Sequence, residues 1–467
     1  MAALRPVPLV IRLWTTALAA AIALCIPRIA AMEVPDDLRP FGNAAGSVRT
    51  ATTNRTFDTG NPFFQDLGTN GRRCATCHQA SDGWTIAPAH VQARFAESNG
   101  TDPIFTNNDG SNCEGVVPAN ADEQRVAYSL LLTRGLIRVG LDLPPNAEFV
   151  VEQVDDPYRC GPGTNDISVY RRPLPSTNLR FLSAVMWDGR ESLPTRTILE
   201  DLAHQANSAT RGHAQAAQDV TANQAAAIVA FETGLFTAQD RDRQAGSLRA
   251  QGAGGGPNAL AMQSFFLGIN DPVGLNPTGA PFDADVFTIF EPWRALPAAG
   301  GPVVDARRAI ARGQNTFNTK TFTISGVAGL NEQTFPSGVT VPASFTGTCT
   351  ICHDTPNAGD HSVKAPLNIG VADPVRAPYL PVYRLRNIET HDTVQTTDPG
   401  RAMITGRWAD IGKLKGPILR ALAARAPYFH NGSAMTLEEV IDFYDVRFNI
   451  GLTNQERADL AAFLSAI

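Results

Sequence analysis

Several absences shape the reading of this chain. Beyond residue 31 no stretch is long and apolar enough to cross a bilayer, which takes about 20 such residues, so the body of the chain reads as soluble and globular. Charged residues are few, 18%, and show no basic excess: the formal net charge is −6. That speaks against nucleic acid and acidic membrane surfaces as partners. Seven cysteines and eight histidines in 467 residues are few enough to be placed one by one. Gly (39) and Pro (33) are plentiful, which predicts long ordered loops around modest helices. The length suits two or three ordinary domains.

Residues 1–31 read as a secretory signal. Arg5 and Arg12 supply a positive start, Leu13 to Ile26 is apolar, and Ile29-Ala30-Ala31 offers a cleavage site before Met32. The alternative is an uncleaved anchor, for which the apolar run is short. Leu24 before Cys25 does not suit a lipoprotein site. Cleavage removes Arg5, Arg12 and Arg28 with no acidic residue, taking the charge from −6 to about −9.

What organises the rest is a repeated pentapeptide. Cys74-Ala75-Thr76-Cys77-His78 recurs as Cys349-Thr350-Ile351-Cys352-His353. In C-x-x-C-H, two thiols one helical turn apart can form thioethers with the vinyl groups of a heme, and the adjacent His becomes an iron ligand. A bare C-x-x-C could bind zinc or serve as a redox dithiol, but neither needs the His. Two full copies in an exported chain predict two covalently bound heme c groups, with Cys74, Cys77, Cys349 and Cys352 as attachment points and His78 and His353 as ligands. Of the remaining cysteines, Cys25 leaves with the signal. Cys113 and Cys160 are expected to pair in an oxidising compartment; two free thiols are the alternative.

Residues 33–60 read as an irregular arm and Asn61-Pro62-Phe63-Phe64 as the start of a short helix before the first motif. Residues 81–175 read as mostly loop, interrupted by a helix from Ala121 to Leu132. A helix is expected from about Thr195 to Gln205, and another behind the capping box Thr221-Ala222-Asn223-Gln224, with Ile228, Phe231 and Leu235 on one face. The stretch 240–300, with Gly252-Ala253-Gly254-Gly255-Gly256-Pro257, reads as an inter-domain connection. Ala306 to Phe317 reads as a second leading helix. Thr436 with Glu439 and Thr453 with Glu456 open two more helices, the first carrying Leu437, Val440, Ile441 and Tyr444 on one face.

The order of motifs then becomes specific. Two C-x-x-C-H copies flank Trp187-Asp188-Gly189-Arg190, and Pro427-Tyr428-Phe429-His430-Asn431-Gly432 follows the second. This resembles the bacterial di-heme cytochrome c peroxidase / MauG family over roughly 60–80, 170–240 and 305–467. The resemblance implies a mainly α fold of two cytochrome c-like domains, 32–239 around a peroxidatic heme and 301–467 around an electron-transfer heme, with long irregular loops. It implies a periplasmic, peroxide-dependent oxidoreductase that forms high-valent iron at the first heme while the second relays electrons. Hydrogen peroxide would be the oxidant. Electrons would come from a small cytochrome c or cupredoxin, or from an organic or protein side chain.

Residue by residue, the resemblance places Tyr444, fourteen beyond His430, as the distal ligand of the second heme. The family has Met there in ordinary peroxidases and Tyr in the MauG type. From the helix pattern alone Tyr444 could equally be a core tyrosine whose hydroxyl is satisfied elsewhere. Trp187 matches the tryptophan between the hemes, and Asp188 and Arg190 would organise the turn or bind propionates. No His lies between Cys160 and Met186, where ordinary peroxidases carry one that closes the first heme, so that iron is expected open or water-bound. His90 and Met186 are the alternative ligands. The family's distal Gln and Glu spacings are not met: Thr197 stands ten beyond Trp187. Gln205, His213 and Glu200, in a polar cluster that also holds Asp201 and His204, are the expected distal-pocket groups. The family also holds a calcium ion between the hemes through backbone carbonyls, here Arg425 and Pro427, although no clear Asn precedes Trp187 to complete that site. His361 and His391 are placed on loops without a role. Two competing functions remain: oxygen-dependent cleavage of an organic substrate, as in the related rubber oxygenases, and pure electron transfer by two six-coordinate hemes.

Overall fold

Threonine capping boxes start three helices. Thr197, Thr221 and Thr453 each accept a backbone N–H three residues on, and the side chains of Glu200, Gln224 and Glu456 reach back to the cap. Such reciprocal boxes satisfy two otherwise unpaired donors. They open helices Ile198–Gly212, Ala222–Thr233 and Asn454–Ala466. Thr436 likewise caps Leu437–Phe448. The computed structural model describes residues 39–53, 55–161 and 166–467; the expected signal, 1–31, lies outside the described residues. Among them no helix is long and apolar enough to cross a membrane.

The fold is less helical than the sequence suggests. Described residues are 32% helical and 16% strand, so the expected mainly α class gives way to a mixed one. The expected arm contains strands Pro40–Asn43 and Gly46–Thr52, joined to Leu235–Asp242 and Gly246–Ser247 in a four-stranded antiparallel sheet. The expected 81–175 loop holds helix Pro88–Ser98 and strands Ile137–Asp142, Phe149–Asp155 and Asp166–Arg171. Their apolar residues alternate, as in Ile167 and Val169, both fully buried; that two-residue period is a strand signal. The helix expected over 121–132 is two, Ala121–Ala127 and Ser129–Arg134, broken at Tyr128. Pro62–Phe64 is only a single 3-10 turn.

Cys113 and Cys160 form the expected disulfide. It closes a loop with a sequence separation of 47. In Cys113→Ser the unfolded chain regains that freedom, and stability is expected to fall by roughly 2–5 kcal/mol, read as a lower denaturation midpoint without a change of slope.

The 240–300 stretch is irregular yet contributes to a core. Phe287, Phe290 and Trp293 are fully buried with Phe317 and Phe463. Here helix Pro302–Thr319 crosses Asn454–Ala466 closely: a Cβ added at Gly313 would stand 1.9 Å from the Asp459 carbonyl oxygen. Only glycine permits that approach. Arg312 locks the crossing through two bonds to the Asp459 carboxylate, 2.7 and 2.8 Å. A second aromatic cluster, Phe63, Phe64, Trp84 and Phe231, packs around the first C-x-x-C-H motif.

Candidate heme sites

Each C-x-x-C-H motif lies in the wall of its own cavity. Cys74–Cys77 form one helical turn and Cys349–Ile351 a 3-10 turn, which sets each thiol pair on one face. The four thiols are unpaired. Burial pushes Cys74, Cys349 and Cys352 up to about 12, and raises Cys77 as well. Zinc binding and dithiol exchange need thiolates, which this burial opposes. Among the described residues no group of three or more His, Cys, Asp and Glu is arranged to hold a metal ion by itself.

Both motif histidines are held in the tautomer a metal ligand needs. His78 Nδ1 donates to the Trp84 carbonyl at 2.9 Å and His353 Nδ1 to the Gly359 carbonyl at 2.6 Å, leaving Nε2 of each as the coordinating nitrogen. Burial lowers His78 to about 4, against the pull of the Trp84 carbonyl, and lowers His353 too. Both rings are therefore neutral at physiological pH. Trp84, Met186 and Phe429 hold positive φ angles of 63°, 68° and 65°, a conformation costly for side chains with a Cβ and common at functional sites. The cavities hold about 1490 and 1610 Å³ between atoms, mouths included. Each opens directly beside its thiol pair and histidine, and the donor set there, two thiols and a neutral imidazole, fits a heme at each.

Trp187 stands in the walls of both cavities, as does Lys415. The indole Nε1 donates to the Arg172 carbonyl at 2.8 Å, and the Trp187 carbonyl accepts from the Lys415 backbone N–H at 2.8 Å. Asp188 is fully buried between Arg171 and Arg190 and caps its own turn through the Arg190 backbone. Arg171 also reaches Asp398 through two bonds of 2.7 and 2.9 Å.

The first cavity gathers only part of the expected distal set. Gln205 and His213 line it; His213 Nδ1 is bonded to Asp109, which also holds Arg72. Glu200 does not line it. Its carboxylate caps the helix at Thr197, 2.7 and 2.8 Å from the backbone N–H and hydroxyl, and faces solvent. The capping box claimed it, because it sits at the third helical position. His204 pairs with Glu191 and His90 with Asp82, both about half exposed and neither in the wall. Met186 does line this cavity.

In the second cavity Tyr444 and His353 both line the wall, ring centroids 6.5 Å apart. Tyr444 carries a buried hydroxyl on this wall. Burial raises it well above the usual phenol range.

No family model matches the chain. Curated relatives do. The chain is similar to bacterial cytochrome c peroxidases. It is 34% identical over 135 residues to cytochrome-c peroxidase IdrP2 of Denitromonas iodatirespirans and 30% identical over 139 residues to IdrP1 of Pseudomonas sp. (strain SCT), each match covering 26% of this chain and 36% of the relative. Cytochrome c551 peroxidase of Nitrosomonas europaea is 29% identical over 120 residues, 26% of this chain and 30% of the relative. The chain thus spans about a third of the length of the curated relatives it matches.

The Arg425 carbonyl, expected to help hold a calcium ion, is already engaged by a cation. The Arg425 carbonyl accepts from Arg172 Nη2 at 3.1 Å. Arg172 and Arg425 are both buried guanidiniums without a carboxylate bonded to either among the described residues. Burial lowers each to about 10, so both stay charged.

One candidate escaped the sequence reading. Glu232 is buried, lines the first cavity and leaves Oε2 unpartnered, while Ser176 bonds the carboxyl. Burial pushes it up to about 7. The signal was there: it stands four residues after Ile228, on the apolar face of its helix.

Proposed function

We propose that the chain is a periplasmic di-heme c-type oxidoreductase of the peroxidase type, using hydrogen peroxide and taking electrons from a small donor protein or an organic or protein substrate. The observation that carries this reading is Trp187, which stands in the walls of two cavities that each contain a complete C-x-x-C-H motif. The similarity to cytochrome c peroxidases supports it. A bound heme iron supplies O–O bond cleavage and one-electron transfer.

The chain's own residues do the rest. His78 and His353 offer Nε2 as ligands. In the first cavity Glu232 takes up a proton at Oε2 and passes it on, with Gln205 and His213 Nε2 as further hydrogen-bonding groups. Trp187, fixed at both its indole and its carbonyl, offers a π-system for an electron or hole between the sites. Tyr444, on the same wall as His353, would offer its phenol oxygen to a bound iron, the mark of the MauG-like branch.

Stopped-flow mixing of the di-ferric protein with hydrogen peroxide tests the reading. A rapid Soret change without prior reduction is expected, since no His lies between Cys160 and Met186. Reaction only after one-electron reduction would indicate an ordinary peroxidase, with Met186 the ligand to displace. Silence in both states overturns the proposal and favours oxygenase or electron-carrier chemistry.

A further inference from the structure

Arg172 is a buried cation in the wall of the first cavity. Arg172 follows strand Asp166–Arg171, and its side chain turns inward, 4% exposed. Its guanidinium gathers three carbonyls from three distant segments: Arg134 through Nη1 at 2.9 Å, and Ile86 and Arg425 through Nη2 at 2.7 and 3.1 Å. Its backbone N–H donates to the His430 carbonyl at 2.6 Å, and its own carbonyl receives Trp187 Nε1. One residue therefore ties the first motif's surroundings, the Trp187 turn and the 425–430 segment together.

Chains of carbonyls converging on a buried positive charge are what an oxygen-bound divalent ion otherwise organises. Among the described residues no carboxylate bonds this guanidinium. Asp82 is the charged side chain nearest in effect, but it is occupied by His90 and the Ala87 N–H. Arg425 adds a second buried cation, donating to the Ile418 carbonyl at 2.8 Å. Gly83 packs directly against it, a Cβ there falling 2.9 Å from Arg425 Cγ, which leaves little space for an ion and its waters.

We propose that the Arg172 guanidinium is a built-in replacement for an inter-site calcium ion, gathering the Ile86, Arg134 and Arg425 carbonyls and holding Trp187 through its own backbone. The inference needs the hemes attached but not their reaction with peroxide, so it can fail while the peroxidase reading stands, and the reverse.

The test is calcium analysis of the di-heme holoprotein, equilibrated with millimolar calcium and then desalted. Well under 0.1 calcium per chain is expected, with no change in melting temperature or Soret spectrum on adding EGTA or calcium. About one calcium per chain, removed by EGTA with a drop in melting temperature, overturns the proposal. Arg172→Gln, which cannot present the same fork of charged donors, is expected to melt roughly 5 °C lower. It is also expected to lose the rigid-indole signature of Trp187 in near-ultraviolet circular dichroism. A variant indistinguishable from the parent in both would equally overturn it. If the variant does not fold, the calcium analysis of the unaltered protein still decides.

Discussion

Tyr444→Phe is expected to change the second heme and leave the first untouched. In the variant the ferric spectrum should lose its phenolate-to-iron charge-transfer band, and the potential of the second heme should rise by more than about 0.1 V, since axial ligands tune heme potentials over roughly 0.8 V. A phenolate is a hard anion that favours ferric iron, and its loss removes that preference. Burial makes the argument sharper. Burial holds the phenol well above its usual range, and a bound metal ion would make the anion affordable there. Tyr444→Met should raise the potential further by supplying a thioether. Resonance Raman spectra and redox titrations of the three proteins make the comparison. Unchanged spectra and potential in Tyr444→Phe would mean the tyrosine is a core residue and that the MauG-like assignment fails.

The parts of this chain that were legible are those in which a short, local pattern carries the chemistry. The C-x-x-C-H motifs, the threonine capping boxes and the Cys113–Cys160 pair depend on neighbours in sequence or on elimination among few cysteines. Local signals also misled. Glu200 looked like a pocket acid because it sits among polar residues, yet the cap at Thr197 consumes it. The strands in 137–171 went unread because Gly, Asp and Asn around them suggested loop, although Ile167 and Val169 keep a two-residue period. Most opaque were features made by distance in sequence. Arg172 meets Arg425 across 253 positions, and no window on the sequence contains both. Trp187 was legible by resemblance, but its place in two walls at once is a property of the fold.

Glu232→Gln should make the protein more stable and less active together. A carboxyl raised from 4.5 to about 7 by burial binds protons more tightly folded than unfolded. Stability is therefore lost as pH rises from about 4.5 through 7, and the full penalty, roughly 3 kcal/mol, is present above that. Glutamine keeps the shape and cannot ionise, so the variant should resist denaturant better at pH 8 and show little difference at pH 4. Peroxide reactivity should move the other way. The deprotonated carboxylate accepts the first proton, so the rate in the unaltered protein should climb with pH through about 7 and level off. In the variant that limb should vanish and the plateau fall by about 100-fold, within the usual range for a lost general base. Opposite signs in the two measurements mark a residue kept for function at a cost in stability. A more stable variant with an unchanged pH–rate profile would reduce Glu232 to an ill-placed carboxyl and leave the proton to His213.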